Sequence, residues 1–179
     1  MAFLTFATAA RFAAQLNDGL RKSACVTAAT EADVFIAHSS LDRTSLRGVE
    51  RLLAVHSASY YIDKRDSSLP SVPSVVTADL LASRIALSRR LIVVVTENSA
   101  QSRWVPWEMG VAHGAKGPKY VASLPMAQDP SEKLWARQEY LGLYPQITWK
   151  PSISKWAVTD PLDNRYWSLE DWIREEELS

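Results

Sequence analysis

Cysteine, histidine and net charge are all scarce in this chain of 179 residues. The single cysteine, Cys25, excludes an internal disulfide framework and any multi-cysteine zinc site. Three histidines (His38, His56 and His113) leave little material for a metal centre, and none is expected. Lys and Arg number 20 against 20 Asp and Glu, so no basic excess exists to hold a phosphate backbone, and nucleic acid is excluded as a generic partner. No apolar run approaches the ~20 residues that span a bilayer, so no membrane segment is expected. Six glycines are present, and no three of them fit G-x-G-x-x-G or a phosphate-cradling loop after a strand. That disfavours a dinucleotide-binding dehydrogenase and a P-loop enzyme. Carboxylates, hydroxyls and aromatics remain as the materials for a site.

What is present is the composition of a globular domain, 47% hydrophobic and 22% charged, long enough for one core plus extensions. Near the N-terminus Arg11 interrupts the apolar stretch that a secretory signal would need. Phe12, Leu16 and Leu20 instead recur at i, i+4 and i+8, which predicts a helix docked on the domain and a cytoplasmic protein. Asp33-Val34-Phe35-Ile36-Ala37 reads as a buried strand, and His38-Ser39-Ser40-Leu41-Asp42 as the cap of the helix carrying Leu46, Val49 and Leu53. Tyr60 to Asp63 is a second strand. Lys64 to Thr77, rich in Pro and Ser, is expected to be a long exposed loop, and Ala78 to Ser88 a helix. Leu91 to Val95 lacks alternation, as suits a central strand covered on both faces. Trp104 to Ala115 reads as a helix with Pro106 in its first turn. Lys119 to Leu124 and Gln146 to Trp149 complete five strands.

This alternation predicts a flavodoxin-like, doubly wound parallel five-stranded sheet. Residues 1–30 form an N-terminal helical extension, 31–150 the domain, and 151–179 a C-terminal helical extension packed by Trp156, Trp167 and Trp172. Ligands of such sheets bind beyond the carboxyl ends of the strands, where the residues after Ala37, Ile62, Val95 and Leu124 converge. Trp104 and Glu108 are four apart, so a helix stacks them on one face, an aromatic platform one turn from a carboxylate. A packed indole beside a solvated acid has the same spacing, and Glu108 is expected to be at least partly exposed. Cys25 reads as a small apolar residue, and the acidic run Glu175-Glu176-Glu177 as a solvated helix end.

Taken together, the segments from Asp33 to Asp42 and Tyr61 to Asp63, then Leu91 to Thr96 followed by Ser99, Ser102, Trp104 and Glu108, resemble a Toll/interleukin-1 receptor (TIR) domain of the bacterial NAD-cleaving type. The resemblance covers residues 31 to 150 in the family's order. Two departures stand out: no glycine in the loop from Asp66 to Ser74, and Val105 where the family often has cysteine after Trp104. The first bears on the loop's substrate contacts.

The resemblance implies cleavage of NAD+ at the nicotinamide–ribose bond, with Glu108 matching the essential glutamate of the W-x-x-x-E motif. It implies that Phe35, His38, Ser39, Asp63 and Trp104 contact substrate. It implies no resident cofactor, self-assembly with other TIR copies into an oligomer or filament, and a nucleotide product that reaches a separate effector, as in the Thoeris antiphage system. Two rival readings stand beside it: a non-enzymatic TIR adaptor, and a nucleoside deoxyribosyltransferase-like enzyme that also uses a glutamate on an N-glycosidic bond. A phospho-receiver domain fits less well, because Asp42 alone does not supply its paired acids.

Overall fold

The computed structural model describes residues 2–26, 31–70, 72–129 and 139–175. Glu176 and Glu177, the Leu20 side chain and residues 130–138 of the segment after Leu124 lie outside that set. Parallel strands β2 (Val34–Ala37), β3 (Tyr60–Tyr61), β4 (Arg90–Val95), β5 (Val121–Ala127) and β6 (Gln146–Lys150) stand in the order β3-β2-β4-β5-β6. Every residue of β4 is buried, as its unbroken apolar run predicts. Alternate residues serve opposite faces. Val34, Ile36, Ile92 and Val94 join one core with Val49 and Leu53 of α3 (Arg43–Val55). Phe35, Ala37, Leu91 and Val93 join the other, with Leu81 and Ile85 of α4 (Val75–Leu87) and Val105 and Met109 of α6 (Trp104–Lys116). Helices on both faces make the fold doubly wound.

Both extensions take part in the sheet. β1 (Leu4–Thr5) pairs in parallel with Met126 and Ala127 of β5. α1 (Phe6–Gln15) follows, and the expected stripe through Leu20 is broken because Leu16 leaves the helix with extended backbone before α2 (Asp18–Ala24). After β6 the chain adds two antiparallel strands, β7 (Lys155–Thr159) and β8 (Tyr166–Ser168), before α7 (Leu169–Arg174). The C-terminal extension is therefore strand and helix, where helix alone was expected. Its tryptophans do pack on the core: Trp156 and Trp172 are buried and Trp167 partly so. Arg90, buried at the start of β4, fastens α7: its Nε donates to the Trp172 carbonyl at 2.5 Å and its Nη2 to that of Glu175. Trp172 Nε1 donates to the Lys119 carbonyl at 2.9 Å.

The long loop is shorter than its composition suggests. Ser74 and Thr77 form a capping box, so α4 begins at Val75. A second capping box, Thr96 with Ser99, opens the one-turn helix α5 (Glu97–Ala100). Asp42 precedes α3 but makes no capping bond. Its buried carboxylate instead accepts from Thr96 Oγ1 at 2.6 Å and Asn98 Nδ2 at 2.7 Å, tying the loop after β2 to the loop after β4.

α1 crosses α3 at Gly48, where a methyl group would lie 2.5 Å from the Ala9 carbonyl oxygen and 2.6 Å from its Cα. Both contacts are backbone, which cannot swing aside. Gly48→Ala should therefore destabilise the fold by about 1–3 kcal/mol, the range for overpacking, despite alanine's better helix propensity. Denaturant unfolding measures it, and an unchanged or raised midpoint would contradict the crossing.

Candidate functional site

The chain order reverses between β2 and β4, and a cavity of about 300 Å³ opens beyond the carboxyl ends of β2, β3 and β4. β2 supplies His38 and Ser40 just past its end. A 3-10 turn over Asp63–Arg65, directly after β3, supplies Asp63 and Lys64. The first turns of α6 supply Trp104 and Glu108, and Leu69, Pro70 and Pro73 form the wall contributed by the shortened loop.

Glu108 is 4% exposed, where partial exposure was expected, and no hydrogen bond reaches its carboxyl among the described residues. Burial pushes it up from 4.5 to about 8; the negative charge of Asp63 adds to the rise, and Lys64 opposes it. Asp66, on the same cavity, goes the other way. Burial alone would raise it, but donors from Ser68, Tyr61 and Arg84 together hold its carboxyl below the ordinary range. Ser68 N donates at 2.9 Å, Ser68 Oγ at 2.5 Å and the Tyr61 hydroxyl at 2.8 Å. Two acids on one cavity are thus shifted in opposite directions, Asp66 down by its hydrogen bonds and Glu108 up by burial.

His38 adds a second unusual group. Its Nδ1 lies 3.3 Å from the Ile36 carbonyl oxygen and 3.8 Å from Asp63 Oδ1, and its buried Nε2 has no hydrogen-bond partner among the described residues. A buried polar atom without a partner is costly, so a ligand hydroxyl reaching it would be held. Trp104 meets Trp107 edge-on, ring centroids 5.3 Å apart.

Of the six residues expected at the site, the structure brings together Glu108, Trp104, His38 and Asp63. Phe35 and Ser39 do not line the cavity. Phe35 is fully buried on the face covered by α4 and α6, stacked on Tyr61 at 5.3 Å, and Ser39 Oγ accepts from Leu41 N at 3.3 Å. Sequence reasoning passed over Ser40, Lys64 and Asp66. Asp66 could have been flagged by its place three residues after Asp63, one turn away on the same segment.

A doubly wound sheet with a desolvated carboxyl at its switch point defines a small-ligand-binding α/β domain. The TIR domain family matches residues 34–150, and the chain belongs to that family. A protein of Bacillus cereus (strain MSX-D12), named "Probable 3' cyclic ADP-D-ribose synthase ThsB'", is 36% identical over 117 residues. The match covers 64% of this chain and 60% of that protein, so the chain spans less than two thirds of its relative. No helix among the described residues is long and apolar enough to cross a membrane.

The Glu108 proton links stability to pH. The unfolded chain releases it near 4.5 and the folded chain near 8. The folded state therefore holds the extra proton between those values, and this group's contribution to stability falls as pH rises through that window. Glu108→Gln removes the loss. Its Tm should exceed that of the parent above pH 8, with the gap closing toward pH 4.5; a gap independent of pH would mean the carboxyl is not desolvated.

Proposed function

We propose that this protein cleaves NAD+ at the nicotinamide–ribose bond and converts the ADP-ribose unit into a signalling nucleotide in antiphage defence. The observation that carries the reading is Glu108, a buried carboxyl of raised pKa at the switch point of a TIR domain. The name of the Bacillus cereus relative supports it. In the reaction the bond from ribose C1′ to the pyridinium nitrogen breaks and its electron pair leaves with neutral nicotinamide. No acid is needed for that departure. Positive charge passes to C1′ and the ring oxygen, where a carboxylate in a dry site stabilises it strongly. A water or hydroxyl oxygen then bonds to C1′ and loses its proton.

The raised pKa suits this chemistry. Before substrate arrives Glu108 is largely neutral, which limits the cost of burying it. The pyridinium brings a fixed positive charge and draws the carboxyl toward ionisation, so the charged form is favoured when it is needed. In this reading Asp63 and Nε2 of His38 bind ribose hydroxyls and Trp104 flanks the flat ring; that all three line the cavity supports it. NAD+ is the substrate, and the reading requires no resident cofactor or metal. NAD+ as substrate and a single cysteine without a disulfide suit the cytoplasm.

Glu108→Gln should lower turnover by at least ~10²-fold, the scale of losing one preorganised stabilising group. For the parent, kcat/KM should rise with pH through about 8, and the acid limb of kcat should lie lower because bound substrate favours the carboxylate. Nicotinamide release from NAD+ measures both. A folded Glu108→Gln protein that turns over like the parent would falsify the assignment; release from deoxynucleosides in place of NAD+ would favour the deoxyribosyltransferase reading.

The product's consumer is a separate effector, and assembly of copies completes the site. A cavity of about 300 Å³ is at the small end for ligand pockets and holds only part of a dinucleotide. Val72, Val75 and Val76, at the end of its loop wall, are 72%, 77% and 58% exposed, an apolar patch suited to a second copy. Specific activity should therefore rise with protein concentration, and Val72→Asp should abolish the rise while leaving the monomer folded. Activity per molecule that stays constant on dilution, with particles remaining monomeric, would place the whole site within one chain.

A further inference from the structure

Asp63, Asp66 and Glu108 bring three carboxyl groups to the cavity, Asp66 already paired with Arg84 and Glu108 held toward neutrality by burial, and among the described residues that line it Lys64 is the one Lys or Arg. Its ammonium is half exposed and rests 3.8 Å from Asp63 Oδ2, too long for a hydrogen bond. Such a loose pair contributes little and yields readily to a better anion.

The backbone under Lys64 is held from both sides. On one side Arg65 pairs with Glu50, a fully buried carboxylate of α3 that also accepts from the Tyr60 hydroxyl at 3.3 Å. On the other, Asp66 is bound by Tyr61, Ser68 and Arg84. The turn carrying Lys64 is therefore fixed to α3 in one core and to α4 in the other. Its side chain alone is left to move. An anchored stem with a mobile cation is a suitable device for gripping phosphate as a point charge.

We infer that Lys64 is a specificity-determining residue that holds the diphosphate of the substrate, so that the site selects phosphate-bearing pyridinium ribosides over phosphate-free ones. The inference rests on the reading of NAD+ as substrate and deepens it. The carboxyl groups attract the cationic pyridinium–ribose end, and Lys64 is the group that attracts the anionic end. Bound in that polarity, the dinucleotide points its glycosidic bond toward Glu108. Reversed, it would set the phosphates beside Asp63 and the buried Glu108 carboxyl and carry the pyridinium to Lys64.

The test separates binding from turnover. NAD+ and nicotinamide riboside, which lacks phosphate, are titrated by calorimetry into the full chain carrying Glu108→Gln, with and without Lys64→Met. Loss of one charge-assisted contact should weaken NAD+ about tenfold or more, leave the riboside unchanged, and be reversed by Lys64→Arg. Equal NAD+ affinity with and without Lys64, equal weakening of both ligands, or failure of NAD+ to bind would overturn the inference. Turnover of the otherwise unaltered chain is read in parallel. If it releases no nicotinamide while NAD+ binding still depends on Lys64, the cleavage reading falls and the phosphate contact stands.

Discussion

A carboxyl group kept out of water without a cation to neutralise it is the constraint around which this domain is arranged. Glu108 sits on the first turns of a helix whose other inward residues, Val105, Met109 and Ala112, belong to the core. Such a group stays in place only if the packing around it supplies more stability than its desolvation removes. It also stays chemically adjustable, because a nearby charge in a low-dielectric site acts with far more force than in water. Asp63 and Lys64, adjacent residues of opposite sign, bias it in opposite directions from the same turn. Burial thus sets the protonation of this acid, and two neighbours on a different strand end adjust it.

The sheet makes this arrangement stiff. β4, buried along its whole length, ends beside the loop after β2, which stands between it and the loop after β3. Asp42 ties the first of those loops to Thr96 and Asn98, and Asp66 ties the second to Tyr61 and Arg84. Each uses a hydrogen-bonded carboxyl group as a brace. The domain therefore places two kinds of acid side by side: hydrogen-bonded ones that hold the frame, and Glu108, whose carboxyl makes no hydrogen bond among the described residues.

The positions of the five parallel strands and the helix bearing Trp104 and Glu108 were legible because their signals are local. An unbroken apolar run, a β-branched strand and an i, i+4 pair need no knowledge of the rest of the chain. The burial of Glu108 was not legible, since it depends on a wall built by Leu69, Pro70 and Pro73, some forty residues earlier. Phe35 was assigned to the site by the family resemblance. Alternation instead sends it to the face under α4 and α6, where it stacks on Tyr61. Asp42 was read as a helix cap, which is what Asp before a helix usually is. Its bonds to Thr96 and Asn98 are contacts between loops that no spacing rule records. The strands in the extensions were hidden for the same reason: β1 is two residues long, and pairing alone makes it a strand.

Leu4 and Thr5 pair with Met126 and Ala127, and Arg90 grips the carbonyls of Trp172 and Glu175. The central strands are thus closed by segments far away along the chain. On a ribosome, which delivers residues in order, β1 must wait for more than a hundred residues to emerge before it finds its partner. Arg90 must wait nearly as long for the carbonyls that receive its charge. Long loops close slowly, and unpaired strand edges wait exposed in the meantime. Nascent chains of this protein therefore pass through a stage with the strands of the site made and the sheet still open, when a chaperone has most to protect.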